Sequence, residues 1–311
     1  NLMIYKGFET INYLEERYLN EDVSASSHWK KFHKKFRFDG KNFDGLEGFG
    51  GNKQPYNIYK KFIHKIFQSR YLKMSSSNQF NKILENAKKI ATKQNRALDL
   101  DFIRQCLTID FIRSKIDLKD KNILIIGDGF ASLSSLFLEE NISKIFLVNL
   151  TKTLLVDLVY IRKHIGEILF NKKVCLIDSK AKNFKDIFDK FKIICVEAKN
   201  SNLIEYFPID IAINVASMQE MDIKSINDYF KRLYFISKNR DIYFYCCNRE
   251  SKRLPDGEVI NFKNYPWGED DLIVVDELCP WHQDYYSKRP PFYHKYEGKH
   301  RHQLRKLVYY E

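Results

Sequence analysis

No apolar run in this 311-residue chain approaches the roughly 18 residues that would cross a bilayer. The opening residues carry no signal-peptide pattern either. The six cysteines, at 106, 175, 195, 246, 247 and 279, show no zinc-ligand spacing, and several sit inside apolar, strand-like runs. They read as reduced core thiols, which points to a cytoplasmic protein. Internal repeats and long low-complexity segments are absent, which excludes solenoids and flexible tails. The chain opens on Asn1 rather than Met, so an N-terminal piece is expected to lie outside it. With 44% hydrophobic and 30% charged residues, the composition is that of a globular protein, and the length allows one large domain or a core with an appendage.

What is plentiful is positive charge, a formal net +12. Apart from Lys30–Lys35 and a basic tail over 295–306, it is spread along a sequence rich in Lys, Asn, Ile and Phe. Spread charge usually marks solvated surface; an anionic substrate, a membrane-surface glycan and a nucleic acid are the functional alternatives.

Residues 1–75 are aromatic and basic and hold a glycine cluster (Gly40, Gly45, Gly48, Gly50, Gly51), read as helical pieces joined by a loop at about 37–56. Ser75, Ser76 and Ser77 offer cap chemistry for a helix over 78–92, and Asp99 and Asp101 begin another whose apolar residues recur at helical spacing. From 121 strands and helices alternate. Strands are expected at 123–126, 144–148, 174–177, 193–196, 210–214 and 242–246, and helices at 131–140, 152–170 and 222–237. Two further strands, 272–278 and 304–309, flank a long Pro/His/Tyr-rich excursion. The pattern predicts an α/β fold with a parallel sheet covered on both faces and an antiparallel pair at its C-terminal edge. Residues 1–118 are expected to form a mostly helical extension, a lid or a substrate-recognition piece, and 119–311 the main domain.

The stretch 121–140, KNILIIGDGFASLSSLFLEE, combines a buried strand, a Gly127-Asp128-Gly129 turn and a helix. Such an element brings backbone N–H groups and a helix end up to a ligand, although Gly127 and Gly129 can equally be plain turn glycines. The third glycine of the dinucleotide fingerprint is missing, since Ser132 stands there, and Asp128 would repel a pyrophosphate. A sulfonium carrying an amino-acid group tolerates an acidic turn better, which favours S-adenosylmethionine over NAD. Asn149 ends the second strand, where its carbonyl could accept from ribose hydroxyls or simply serve a turn.

Downstream, the string Asp210–Met221 runs into Asn214, Ser217, Gln219 and Glu220. Tyr245-Cys-Cys-Asn-Arg-Glu250, Leu254-Pro-Asp-Gly257, Tyr265-Pro-Trp267 and Asp276-Glu-Leu-Cys-Pro-Trp-His-Gln283 follow. Together these resemble the sugar O-methyltransferase family of bacterial polysaccharide gene clusters, over roughly residues 75–311. The resemblance implies a Rossmann-like class I methyltransferase fold with a seven-stranded, mostly parallel sheet. It also implies S-adenosylmethionine as cofactor and transfer of a methyl group to a sugar hydroxyl. The chain departs from the usual methyltransferase signature at Ile125, Ala131 and Asn149, where an acid, a glycine and an acid are common.

Ligands of open α/β sheets bind outside the carboxyl ends of the strands, so Gly127, Asp128, Gly129, Asn149 and Asn214 are the expected cofactor residues. Ser217, Gln219, Asn248, Arg249 and Trp281 are the expected substrate residues. A sugar hydroxyl needs a general base, for which Glu220 and His282 are the candidates, the imidazole being better matched to neutral pH. Arg249 and Lys252 could pair with a substrate phosphate or carboxylate, and no metal site is expected. The expected partner is a sugar or glycan acceptor, with no nucleic acid, no transmembrane segment, and a homo-oligomer left open. Rival readings are a nucleic-acid methyltransferase, against which no Asn-Pro-Pro-Tyr-like string follows the fourth strand, and a non-catalytic binding module.

Overall fold

The computed structural model describes residues 4–47, 58–287 and 290–309. Its centre is a nine-stranded sheet of β1 (Ile4–Lys6), β2 (Asn122–Ile126), β3 (Lys144–Asn149), β4 (Val174–Ile177), β5 (Ile193–Glu197), β6 (Ile211–Val215), β7 (Ile242–Arg249), β8 (Leu272–Leu278) and β9 (His300–Leu307). The spatial order is β1-β4-β5-β3-β2-β6-β7-β9-β8. The six strands from β4 to β7 run parallel. β1 lies antiparallel on β4 at one edge, and at the other β9 inserts antiparallel between β7 and β8.

This is the Rossmann-like α/β fold expected, with two strands more than the seven foreseen. The direction of winding reverses between β2 and β6, which is where such sheets open a crevice. The central strands alternate between two cores. Ile123 and Ile125 of β2 join one apolar cluster and Leu124 and Ile126 the other, as a sheet covered on both faces requires.

Ten helices among the described residues include α1 (Phe8–Glu15), α2 (Ser27–Phe32), α3 (Ile58–Leu72), α4 (Asn78–Lys93) and α5 (Leu100–Lys115). The rest are α6 (Ser132–Leu138), α7 (Thr151–Ile165), α8 (Glu167–Lys173), α9 (Phe184–Lys190) and α10 (Ile223–Ser237). The caps read from the sequence are formed: Ser77 Oγ accepts from Phe80 N at 2.8 Å and Asp99 Oδ1 from Phe102 N at 2.9 Å. The single helix expected over 152–170 is two, because Gly166 takes φ +79° between α7 and α8. The final strand starts at His300, four residues before the apolar run at 304 suggests.

The first 118 residues do not form a separate core. Ile11 and Leu14 of α1, Phe80 and Ile83 of α4, and Phe102 and Ile103 of α5 belong to one apolar cluster with the sheet. A short hairpin pairs Arg37–Phe38 with Phe43–Asp44 inside the expected loop, while Gly48, Gly50 and Gly51 lie outside the described residues. All six cysteines are free and buried. No helix among the described residues is long and apolar enough to cross a membrane.

Candidate functional site

A cavity of about 360 Å³ opens at the carboxyl ends of β2, β6 and β7, at the reversal point of the sheet. Ten of the residues expected from sequence line it: Gly127, Asp128, Gly129, Asn149, Ser217, Gln219, Glu220, Arg249, Lys252 and His282.

The turn after β2 is built from positive-φ backbone at Gly127, Gly129, Phe130 and Ala131. Gly127 is required twice over. Its φ is +74°, and a Cβ there would meet Ser217 Oγ at 2.4 Å. Asp128 turns back on its own chain, accepting from Leu133 N at 2.9 Å and Ser134 N at 2.7 Å, so the start of α6 is capped internally. Asp157 of α7 accepts from Ala131 N at 2.8 Å. Burial raises the pKa of both carboxyls, and the charge of Asp128 raises that of Asp157 further.

Asn149 lies at the cavity wall with both ends of its amide engaged. Nδ2 donates to Asp157 Oδ2 at 2.8 Å and Oδ1 accepts from Leu150 N at 2.9 Å. The expected acceptor for ribose hydroxyls is thus already serving the turn.

Three expected contacts fall behind the wall. Asn214 is fully buried, donating to Ile126 O at 2.8 Å and accepting from Met218 N and Asn248 Nδ2. Asn248 is buried beside it and accepts from Gln219 N at 3.0 Å. Gln219 Oε1 in turn accepts from Arg249 N at 2.7 Å. This amide ladder ties the loop after β6 to the end of β7 and leaves Asn214 and Asn248 no free group for a ligand. Trp281 is also core: its Nε1 donates to Thr108 Oγ1 at 3.2 Å, and its ring packs on Phe111 and His302. The exposed sugar-stacking face expected of it is covered.

The two base candidates differ in their surroundings. Glu220 Oε1 accepts from Lys252 Nζ at 2.6 Å, and Oε2 lies 3.5 Å from His28 Nε2. Burial raises its pKa, with Lys252 opposing. His282 is buried, and its pKa falls well below the usual value because burial and the Arg104 guanidinium both disfavour an imidazolium. His282 is therefore neutral but a weak proton acceptor, contrary to the expectation that imidazole suits the task better. Glu220, whose pKa burial raises, has the better match.

Sequence reading missed the cavity's other walls. Arg104 of α5 lies inside an apolar helix face and donates to Trp281 O at 2.9 Å, Tyr296 Oη at 2.8 Å and Asp101 Oδ1 at 3.0 Å. A charged residue among core positions was the available signal. Residues 22–33 form a roof: Asp22 accepts from Thr151 N at 2.9 Å, Ser26 Oγ donates to the Glu220 carbonyl, and Trp29 packs with Leu150. Trp29 also borders a second hollow of about 130 Å³. Among the described residues no group of three or more His, Cys, Asp or Glu is arranged to hold a metal ion.

No protein-family model and no curated protein matches the chain. Solved structures resemble it slightly. A Thermoplasma acidophilum protein is 8% identical with a TM-score of 0.43, the match covering 76% of this chain and all of that one. TrmK of M. capricolum, solved with S-adenosylhomocysteine, is 10% identical at TM-score 0.38, covering 65% and 69%. The methyltransferase domain of a bacterial Hen1 is 11% identical at TM-score 0.37, covering 67% and 100%. Likeness of this degree assigns neither a family nor a chemistry, and the resemblance to sugar O-methyltransferases stands on the sequence strings alone.

Proposed function

We propose that this chain is an S-adenosylmethionine-dependent methyltransferase that methylates a sugar hydroxyl. The observation that carries the reading is one cavity flanked by the glycine turn at the end of β2 and a largely buried carboxylate, Glu220, after β6. The antiparallel insertion of β9 between β7 and β8 supports it, as does the internal capping by Asp128, which leaves no open helix end for a pyrophosphate.

The residues present fit the cofactor in most respects. The volume lies within the ~300–1,000 Å³ range of small-molecule sites, and the backbone around Gly127 and Gly129 would hold the amino-acid end. On the ribose side the Asn149 carbonyl already accepts from Leu150 N and keeps one lone pair for a hydroxyl. When bound, the cofactor supplies an electrophilic methyl group. Glu220 takes the proton of the attacking hydroxyl, Lys252 and His28 hold its carboxylate in place, and the roof of residues 22–33 excludes water.

Calorimetric titration with S-adenosylhomocysteine tests the first half. Absence of binding by both it and S-adenosylmethionine would sink the reading. Transfer of labelled methyl to a panel of sugars and nucleotide sugars tests the second. Glu220→Gln is expected to lower turnover by about 10²–10⁴-fold while S-adenosylhomocysteine still binds.

A further inference from the structure

Three residues lining the cavity, His282, His300 and Arg249, each carry a buried nitrogen that has no hydrogen-bond partner. The atoms are His282 Nε2, His300 Nδ1 and Arg249 Nε. Buried polar atoms are almost always partnered, so three around one hollow mark what the hollow is built to receive. The three residues are contiguous. His300 is the cross-strand partner of Arg249, and the rings of His282 and His300 lie 5.4 Å apart. Tyr296 bridges them, 4.9 Å from the His300 ring and 5.2 Å from the Arg249 guanidinium.

The charged side chains acting on His300 are Arg249, Arg104 and Lys252, all cationic. Lys252 is answered by Glu220 and Arg104 by Asp101. Arg249 pairs with no carboxylate among the described residues; its Nη1 donates only to the Glu297 carbonyl at 3.2 Å. A partly buried guanidinium with no carboxylate at ion-pair distance, its Nε buried and unpartnered beside unpartnered imidazoles, is a site for an oxyanion.

We propose that Arg249, His300 and His282 form an oxyanion subsite, and that the acceptor is a sugar bearing a phosphate or a carboxylate rather than a neutral sugar. Arg249 supplies the charge and the imidazoles donate N–H groups. This names the acceptor class of the proposed methyl transfer and rests on that reading for the word acceptor; the oxyanion site itself does not.

The test is titration of the whole chain with inorganic pyrophosphate, with glucuronate and with glucose, each with and without saturating S-adenosylhomocysteine. Binding of pyrophosphate names a phosphate-bearing ligand and binding of glucuronate a carboxylate-bearing one, while glucose should give no signal. Arg249→Gln is expected to weaken the anion by about tenfold to a hundredfold, the range for one charge-assisted hydrogen bond. His300→Gln, checked for unchanged melting, should weaken it by less.

If neither anion binds, or if Arg249→Gln leaves binding unchanged, the subsite is refuted. If the anion binds but is displaced by S-adenosylhomocysteine, the subsite serves the donor's carboxylate and the acceptor assignment falls. Anion binding in a chain that never binds S-adenosylhomocysteine leaves the subsite standing and removes the methyltransferase reading.

Discussion

Gly127→Ala probes the closest contact in the turn, and its cost divides into two separable parts. The residue sits at φ +74°, where a Cβ costs about 1–2 kcal/mol against the preferred backbone regions. The added carbon would also lie 2.4 Å from Ser217 Oγ and 2.7 Å from Ser217 Cβ. Because Ser217 Oγ donates to Ile126 O at 2.9 Å and accepts from Asn214, it cannot rotate away freely. Forcing it aside costs about 1–3 kcal/mol, the usual range for overpacking. The single substitution should therefore destabilise by about 2–5 kcal/mol. Ser217→Gly alone forfeits its two hydrogen bonds and adds backbone freedom, together about 1.5–4 kcal/mol. In the double variant the overlap vanishes while the φ cost remains, so the two changes should be less than additive by about 1–3 kcal/mol. Urea unfolding of the four proteins measures this coupling. Additivity within about 0.5 kcal/mol would show that backbone conformation alone demands glycine, and that the approach of the two loops does not.

Two further outcomes follow from the titrating groups. His33 is buried against α7 with its pKa lowered to about 3 by burial, helped by Lys152. The unfolded chain therefore takes up its proton first, near pH 6.5, and the stability it contributes is present above that pH and lost as pH falls below it. Between pH 7.5 and 5.5 the loss is about 1.4 kcal/mol, so His33→Gln should be less acid-sensitive by that amount; equal slopes in urea titrations at the two pH values would refute this. Asn149→Asp places the acid common to methyltransferases at the end of β3. Here it should destabilise by about 1.5–3 kcal/mol, because it deletes the 2.8 Å donation to Asp157 and sets two carboxylates together. Melting temperatures of the variant should recover toward wild type as pH falls, and a variant as stable as wild type at pH 7.5 would contradict the assignment.

The sheet was legible because its strands are buried on both faces, so 123–126, 144–148 and 193–196 stand out as unbroken apolar runs between turns. Ser77 and Asp99 were legible because capping is local chemistry. The three residues of β1 escaped because they are too short for any periodicity, and their strand exists only through pairing with β4. At the site, residue type and strand end identified ten of the residues that line the cavity. They could not show which way a side chain turns at the end of a strand. Asn214 and Asn248 point into the amide ladder, and Trp281 packs inward beside His282, its neighbour in sequence, which faces the cavity. The unbalanced charge of Arg249 was hidden for the same reason, since a net +12 spread along the chain does not reveal which cation lacks a partner.

The roof over the crevice belongs to that same class of tertiary information, and it bears directly on Glu220. A carboxyl at the end of a parallel strand would ordinarily face water and titrate in the usual carboxylate range. Here Ser26 donates to the backbone carbonyl of Glu220, His28 lies 3.5 Å from its carboxyl, and Asp22 fixes the segment to Thr151 two strands away. Burial is the largest influence on Glu220, and it raises the pKa despite an ion pair with Lys252 that would lower it. His28, itself held neutral with a pKa near 3 by burial, adds no positive charge to oppose that rise. The N-terminal segment thus does more than cover the sheet: through Ser26 and His28 it packs on Glu220 and brings no positive charge to its carboxyl, so it adds to the burial that raises the proton affinity on which the proposed chemistry depends.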